Sequence, residues 1–244
     1  MNNRFHSSLA SDAPSCASLR DRAAPARPCL SSGTGGLLAV SAIAWHESAH
    51  CIAGRYFGFE IGLATIVPSQ HFGGTVRGPG CDIDATPADM IADARARCDE
   101  AVALMPSCGQ SREDCGAWSA HATSRCIELM AGKEGERLSG FDYEGGCATD
   151  MALANIYAES VCVSAGAVAA FIDYCRCEAL ELLKGHWHSV EALASALYGM
   201  QTLDGAAIDA IIFAAEGKSS HEAELQRRAR MTAMTAKAKS GAAF

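Results

Sequence analysis

The chain has 244 residues, of which 49% are hydrophobic, and a formal net charge of −8. A chain of this length can bury one hydrophobic core of good size, so we expect a single folded domain. The negative charge argues against general binding of nucleic acid. No stretch reaches the ~20 consecutive apolar residues of a membrane helix. We therefore expect a soluble, cytoplasmic protein without a membrane segment.

The first 36 residues predict a disordered N-terminal tail. They are rich in Ser, Ala and Pro, and residues 31–36 read Ser-Ser-Gly-Thr-Gly-Gly. Such a composition buries too little apolar surface to fold. A targeting peptide is the alternative, but the segment lacks a charged start followed by an apolar stretch.

Residues 39–57 predict a buried helix that carries metal-binding side chains. The segment is apolar and free of proline, and residues 46–50 read His-Glu-Ser-Ala-His. Residues four apart lie on one face of a helix, so His46 and His50 can bind one metal ion. Glu47 is then able to reach a metal-bound water without filling a coordination position. The alternative is a structural helix whose histidines donate to backbone carbonyls.

Residues 61–67 and 73–78 predict two short strands joined by a loop that contains glycine. The first run is an alternating segment with several β-branched residues, and Pro68 ends it. A strand edge beside the metal would let an extended peptide bind as one more strand. A strand pair that only covers the helix is the alternative.

The rest of the chain predicts helices. Thr86 as N-cap and Pro87 at the first helical position begin a helical region over 86–139. Amphipathic helices are expected over 150–183 and 187–215. The elements together predict a mainly α fold (α+β), in which a small β-hairpin or sheet lies beside the His-Glu helix.

Residues 216–244 predict a basic C-terminal tail. From position 218 onwards the chain holds six Lys or Arg against two Glu. A solvated tail is the ordinary interpretation of such a segment, and a contact with an acidic partner is the alternative.

Twelve cysteines are many for a cytosolic protein, but they form no recognisable framework. Four of them lie between the predicted strands and residue 130, where they could cross-link this segment or bind a second metal: Cys98, Cys108, Cys115 and Cys126. No Cys-x-x-Cys pair supports a zinc knuckle. We therefore expect reduced, mostly buried thiols.

A catalytic zinc ion needs a third protein ligand, and Asp150 is the candidate. It follows a glycine pair at 145–146 and lies where an apolar helix begins, which would hold its carboxylate in a fixed direction. An Asp in the first turn of a helix is also common without any metal. From the residues alone, that ordinary role is the better supported.

These segments resemble, in the same order, the peptidase domain of the FtsH family of zinc proteases. Residues 45–51 and the strand that ends at Pro68 resemble its His-Glu-Ala-Gly-His motif and the strand after it. Residues 130–138 resemble its Gly-Arg-x-Ala-Glu-Glu segment, and residues 145–154 its Gly-Ala-x-x-Asp-Leu-x-x-Ala segment. In that family the Asp of the last segment is the third zinc ligand, so the resemblance implies Asp150.

The resemblance spans roughly residues 40–215, with differences. Ser48 and Ala49 stand where the family has Ala and Gly, and all four residues are small. Lys133 replaces an Arg and loses a bidentate contact. The chain contains no Gly-x-x-x-x-Gly-Lys-Ser/Thr phosphate loop, so we expect the peptidase domain, at 37–215, to stand without an ATPase domain.

These observations predict a zinc metalloendopeptidase that cuts unfolded or flexible polypeptides. Zn²⁺ would be held by His46, His50 and Asp150, and Glu47 would activate a zinc-bound water. Glu136 matches an acidic position of the family and is expected to support the site rather than to catalyse. The resemblance implies ring assembly, so a homo-oligomer or a separate ATPase is a candidate partner.

Two other functions stay open at this point. The first is a non-catalytic, peptidase-like binding or regulatory module. Retention of Glu47 argues against it, because a pure binder gains nothing from a general base. The second is a zinc hydrolase that acts on something other than peptides.

Overall fold

A computed structural model of the protein describes residues 35–82, 84–106, 111, 113–141 and 147–217. The predicted N-terminal tail, apart from its last two residues, lies outside the described residues. So do the glycine pair at 145–146, Cys108, and the C-terminal segment from 218 onwards.

The described residues form seven helices and three short strands, which confirms the predicted mainly α fold with a small sheet. The helices are α1 Gly35–Tyr56, α2 Pro87–Ala103, α3 Glu113–Ser139, α4 Ala148–Glu159, α5 Ala165–Gly185, α6 Trp187–Met200 and α7, residues 205–217. The strands are β1 Leu63–Thr65, β2 Thr75–Arg77 and β3 Thr202–Asp204.

Helix α1 is the centre of the core, as its apolar sequence predicts. Small residues on it, including Ala49 and Ala53, are fully buried. They allow α3 to approach closely: a Cβ at Gly135 would lie 2.5 Å from the Ala49 Cβ. On another side, the rings of Trp45 and Trp187 stack with centroids 5.2 Å apart, which joins α1 to α6.

The sheet is antiparallel with the strand order β2-β1-β3. The predicted hairpin is confirmed as β1 and β2. Strand β3 was not predicted, because 187–215 was expected to be helical throughout. Helix α6 ends instead at Met200, and its C-cap Gln201 has a left-handed φ of 64°. The next residues pair with β1, with Leu203 opposite Ala64.

The predicted helical region over 86–139 is two helices, α2 and α3. Thr86 caps α2 as expected: its hydroxyl accepts from the Asp89 N–H, and the Asp89 carboxylate accepts from the Thr86 N–H. Helix α4 follows α3 along the chain and packs against both α2 and α3. This packing carries the first turn of α4, and with it Asp150, to the polar face of α1.

We expect Gly135→Ala to lower the free energy of unfolding by about 1–3 kcal/mol, because the added methyl group would force α3 away from α1. Gly116 lies on the same helix with open space around it, so Gly116→Ala should be neutral or stabilising by up to ~1 kcal/mol. Urea unfolding followed by circular dichroism measures both. Equal effects of the two substitutions would contradict close packing at Gly135.

Candidate metal centre

Three predicted ligands converge at the polar face of α1. The Nε2 atoms of His46 and His50 are 3.0 Å apart. The Asp150 Oδ2 atom lies 3.1 Å from the first and 3.5 Å from the second. Among the described residues these three form a possible metal-binding cluster, with ligand atoms within 4.8 Å of one another.

The spacing of these atoms suits a small tetrahedral ion. Ligand atoms held at about 2.0–2.1 Å in a tetrahedron lie about 3.3 Å from one another. The three observed separations, 3.0, 3.1 and 3.5 Å, lie around that value. Two imidazoles and one carboxylate leave a fourth position for another ligand.

Both imidazole rings are oriented by α3 through their Nδ1 atoms. His50 Nδ1 lies 2.8 Å from the backbone carbonyl of Glu128. Because a carbonyl only accepts, this nitrogen carries the proton, and in the neutral ring Nε2 keeps its lone pair toward the cluster. His46 Nδ1 lies 2.8 Å from Glu136 Oε1, which turns its Nε2 to the same point.

Glu136 is where the resemblance implies a supporting acid. Its side chain is almost completely buried, and Lys133 Nζ lies 3.1 Å from its second oxygen. Burial would raise the pKa of Glu136, but its contacts with His46 and Lys133 outweigh this and lower it. Lys133 therefore pairs with this carboxylate, at the position where the FtsH segment that it resembles has an Arg.

The electrostatics of the cluster favour a cation. Burial lowers the pKa of His46, but hydrogen bonds to Asp150 and Glu136 outweigh it and raise the pKa to about 9. The pKa of His50 is also raised well above its usual value, since Asp150 and Glu128 outweigh its burial. Burial would raise the pKa of Asp150, yet the two histidines hold it well below its usual range. Positive charge is therefore stabilised at this point, as protons or as a metal ion.

Glu47 lies beside the three-residue cluster and outside it. It is 6% exposed and lines a cavity of about 100 Å³ together with His46, His50 and Asp150. Burial raises the pKa of Glu47 to about 7, against the opposing effect of the two histidines. Gly74 makes room for its carboxylate, because a Cβ there would lie 2.7 Å from Glu47 Oε1.

Gly132 on α3 keeps the space between the two Nε2 atoms open. A Cβ at this position would lie 2.5 Å from His46 Nε2 and closer still to His50 Nε2. A side chain there would occupy the space that a bound ion needs. The donor set and this opening both fit a metal ion.

Sequence reasoning did not find a role for Gly132, Gly74 or Glu128. A signal for Gly132 was present, because a glycine inside a helix costs stability and indicates a packing or functional reason. The role of Glu128 depends on a contact between helices, for which the sequence carries no signal.

The cysteines do not form a second metal site in the described part of the chain, where the His46 cluster is the one group of potential ligands. Among the described cysteines, Cys98, Cys115 and Cys126 are free thiols.

Comparison of the chain with protein-family models and with curated proteins gave no match. The resemblance to FtsH peptidases stays a prediction that depends on the segments named above. Within the described ranges, no helix combines the length and the apolar character needed to cross a bilayer.

We expect Zn²⁺ binding to release protons and to strengthen as the pH rises. His46 holds its proton up to about pH 9 in the metal-free protein, so the ion must displace it. Apparent affinity should rise about tenfold per pH unit for each proton released, between about pH 6.5 and pH 8. Calorimetry in buffers of different ionisation enthalpy counts the protons. Binding at pH 7 without proton release would contradict the assignment.

We expect Gly132→Ala to abolish metal binding, because the methyl group would fill the space between the two imidazoles. Gly116→Ala, on the same helix, should bind metal like the wild type. Equilibrium dialysis with Zn²⁺ measures the binding, and circular dichroism shows whether each variant is folded. A folded Gly132→Ala protein with wild-type affinity would exclude this placement of the ion.

Proposed function

We propose that the chain is a zinc-dependent metallopeptidase that hydrolyses peptide bonds in unfolded or flexible polypeptides. The observation that carries the proposal is the burial of Glu47 in one cavity with His46, His50 and Asp150. Two histidines, one carboxylate and an open fourth position are typical of catalytic zinc. The same donors also suit iron(II), but a buried base beside them serves hydrolysis rather than redox chemistry.

Glu47 would act as the general base and then as the general acid. Its pKa of about 7 suits both roles near neutral pH. It would accept a proton from the attacking water and pass this proton to the leaving amine. When bound, zinc would supply Lewis-acid polarisation of the water and of the scissile carbonyl. His46, His50 and Asp150 would hold the ion, and α3 would hold the two rings in place.

The edge of the sheet supports the proposal that the substrate binds in an extended conformation. In the described sheet, β2 is an edge strand that pairs with β1 on one side. Its residues Thr75 and Val76 line the cavity that also contains His46, His50 and Asp150. A polypeptide could bind along the outer edge of β2 as a fourth strand, which would pass its backbone over the cluster. Only a chain segment without its own stable structure can adopt this conformation, hence the preference for unfolded or flexible substrates.

A cytoplasmic location and a partner belong to the same proposal. The free thiols of Cys98, Cys115 and Cys126 suit a reducing compartment. A separate ATPase could deliver unfolded chains to the site, and a homo-oligomer could enclose it. Without such a partner, activity should be confined to substrates that are already flexible.

We expect the wild type to bind one Zn²⁺ per chain and to cleave unfolded casein. Glu47→Gln should retain zinc and lose at least about a hundredfold in turnover, because it removes only the base. Asp150→Ala should lose both zinc affinity and turnover. Metal content and casein cleavage measure the two properties.

The matched control is Glu134→Gln. Glu134 is also buried, but it pairs with Arg137 and does not line the metal cavity. It should keep both zinc and turnover. Zinc binding without turnover in the wild type would favour the binding module, and a wild type that binds no zinc would refute the proposal. If the wild type binds iron(II) more tightly than Zn²⁺ and carries out a redox reaction with it, an oxygenase would be favoured instead.

A further inference from the structure

We infer that Glu128 and Arg125 form a positioning pair that holds and polarises the metal ligand His50. The inference rests on the metal site of the proposed function, but not on the reaction that takes place there. It assigns a role to two residues for which the motif and the resemblance give none.

Glu128 contacts His50 through two of its oxygen atoms. The carbonyl oxygen of Glu128 accepts the hydrogen bond of His50 Nδ1 at 2.8 Å, and its carboxylate Oε1 lies 3.4 Å from the same nitrogen as an ion-pair contact. The carbonyl sets the direction of the ring. The carboxylate adds negative charge next to it, which makes Nε2 a better electron donor toward a metal ion.

Arg125 in turn forms an ion pair with Glu128. The Arg125 guanidinium nitrogen Nη1 lies 3.1 Å from Glu128 Oε2, an ion pair without an aligned hydrogen bond, and the two residues are one turn apart on α3. The guanidinium also lies over the rings of Phe59 and Tyr157, at 5.1 and 5.9 Å from their centroids. Glu128 is 8% exposed, and a carboxylate so deeply buried needs such a partner to remain charged.

The same arrangement occurs at the other histidine, His46. His46 Nδ1 contacts Glu136, and Glu136 contacts Lys133 one turn earlier on α3. Each imidazole of the cluster thus carries one carboxylate from α3, balanced by one cation from α3. Both pairs connect a metal ligand to the helix packed against it.

A purely structural ion pair is the rival explanation, and α3 contains a suitable example. Glu134 and Arg137 are also three residues apart, their closest nitrogen and oxygen are 2.7 Å apart, and Glu134 is 4% exposed. Glu134 does not line the metal cavity, whereas Arg125 and Glu128 both do. This pair therefore serves as the internal control.

The test measures metal affinity and the ligand field, each independently of turnover. Zn²⁺ dissociation constants are obtained by competition with a chromophoric chelator, and Co²⁺ substitution gives the visible spectrum of the bound ion. We expect Glu128→Gln to weaken Zn²⁺ binding by about 10–100-fold and to shift the Co²⁺ bands. Arg125→Met should weaken it less, and Arg125→Lys should restore most of the loss. Glu134→Gln and Arg137→Met should leave both properties unchanged.

Wild-type affinity and an unshifted Co²⁺ spectrum in Glu128→Gln would overturn the inference, and so would a loss equal to that of Glu134→Gln. Should Glu128→Gln fail to fold, the two Arg125 variants decide, because both keep the carboxylate. Weaker Zn²⁺ binding by Arg125→Met, with most of the affinity restored in Arg125→Lys, supports the pair. Wild-type affinity in both variants refutes it.

Failure of the proposed function gives a different result. If the wild type binds Zn²⁺ but cleaves no peptide, the peptidase is refuted, while weaker binding by Glu128→Gln still supports the positioning pair. If peptide is cleaved and Glu128→Gln binds like the wild type, only the pair is refuted. A wild type that binds no metal refutes both.

Discussion

Close packing of α1 against α3 is the constraint on which the cluster of His46, His50 and Asp150 depends. Gly135 brings the two helices together at Ala49, and Gly132 continues the same approach to the point where the imidazoles meet. The short distance lets α3 supply a carbonyl to one ring and a carboxylate to the other. A helix pair separated by ordinary side chains would leave both rings without partners and would fill the space between their Nε2 atoms.

Charge complements this packing. Helix α1 places two histidines and a glutamate in an apolar interior, where single charges are costly. Acids from α3 and α4 surround the histidines and raise their pKa values, and cations on α3 balance those acids. The result is a buried position at which a positive ion is stabilised. Glu47 lies beside this position with a pKa near neutrality, and this combination is what supports a hydrolytic role.

The parts of the site that could be predicted are those with local causes. The four-residue spacing of His46 and His50 follows from helix geometry, and an apolar, proline-free segment is enough to predict that helix. Asp150 could be placed only through the resemblance, because its position at a helix start has an ordinary explanation. Strand β3 was missed since its pairing with β1 joins residues far apart in the chain, and helical propensity around it conceals the three-residue strand.

The sequence by itself determined the chemistry that α1 can offer: two imidazoles on one face, a carboxylate next to them, and an apolar helix to carry them. Only the tertiary structure decided what meets that face. Asp150 arrives from α4, Glu136 and Glu128 from α3, and Gly132 leaves the opening between the rings. The reason is physical. Spacing along a helix is a local property of the backbone, whereas a contact between helices depends on how all their faces pack at once.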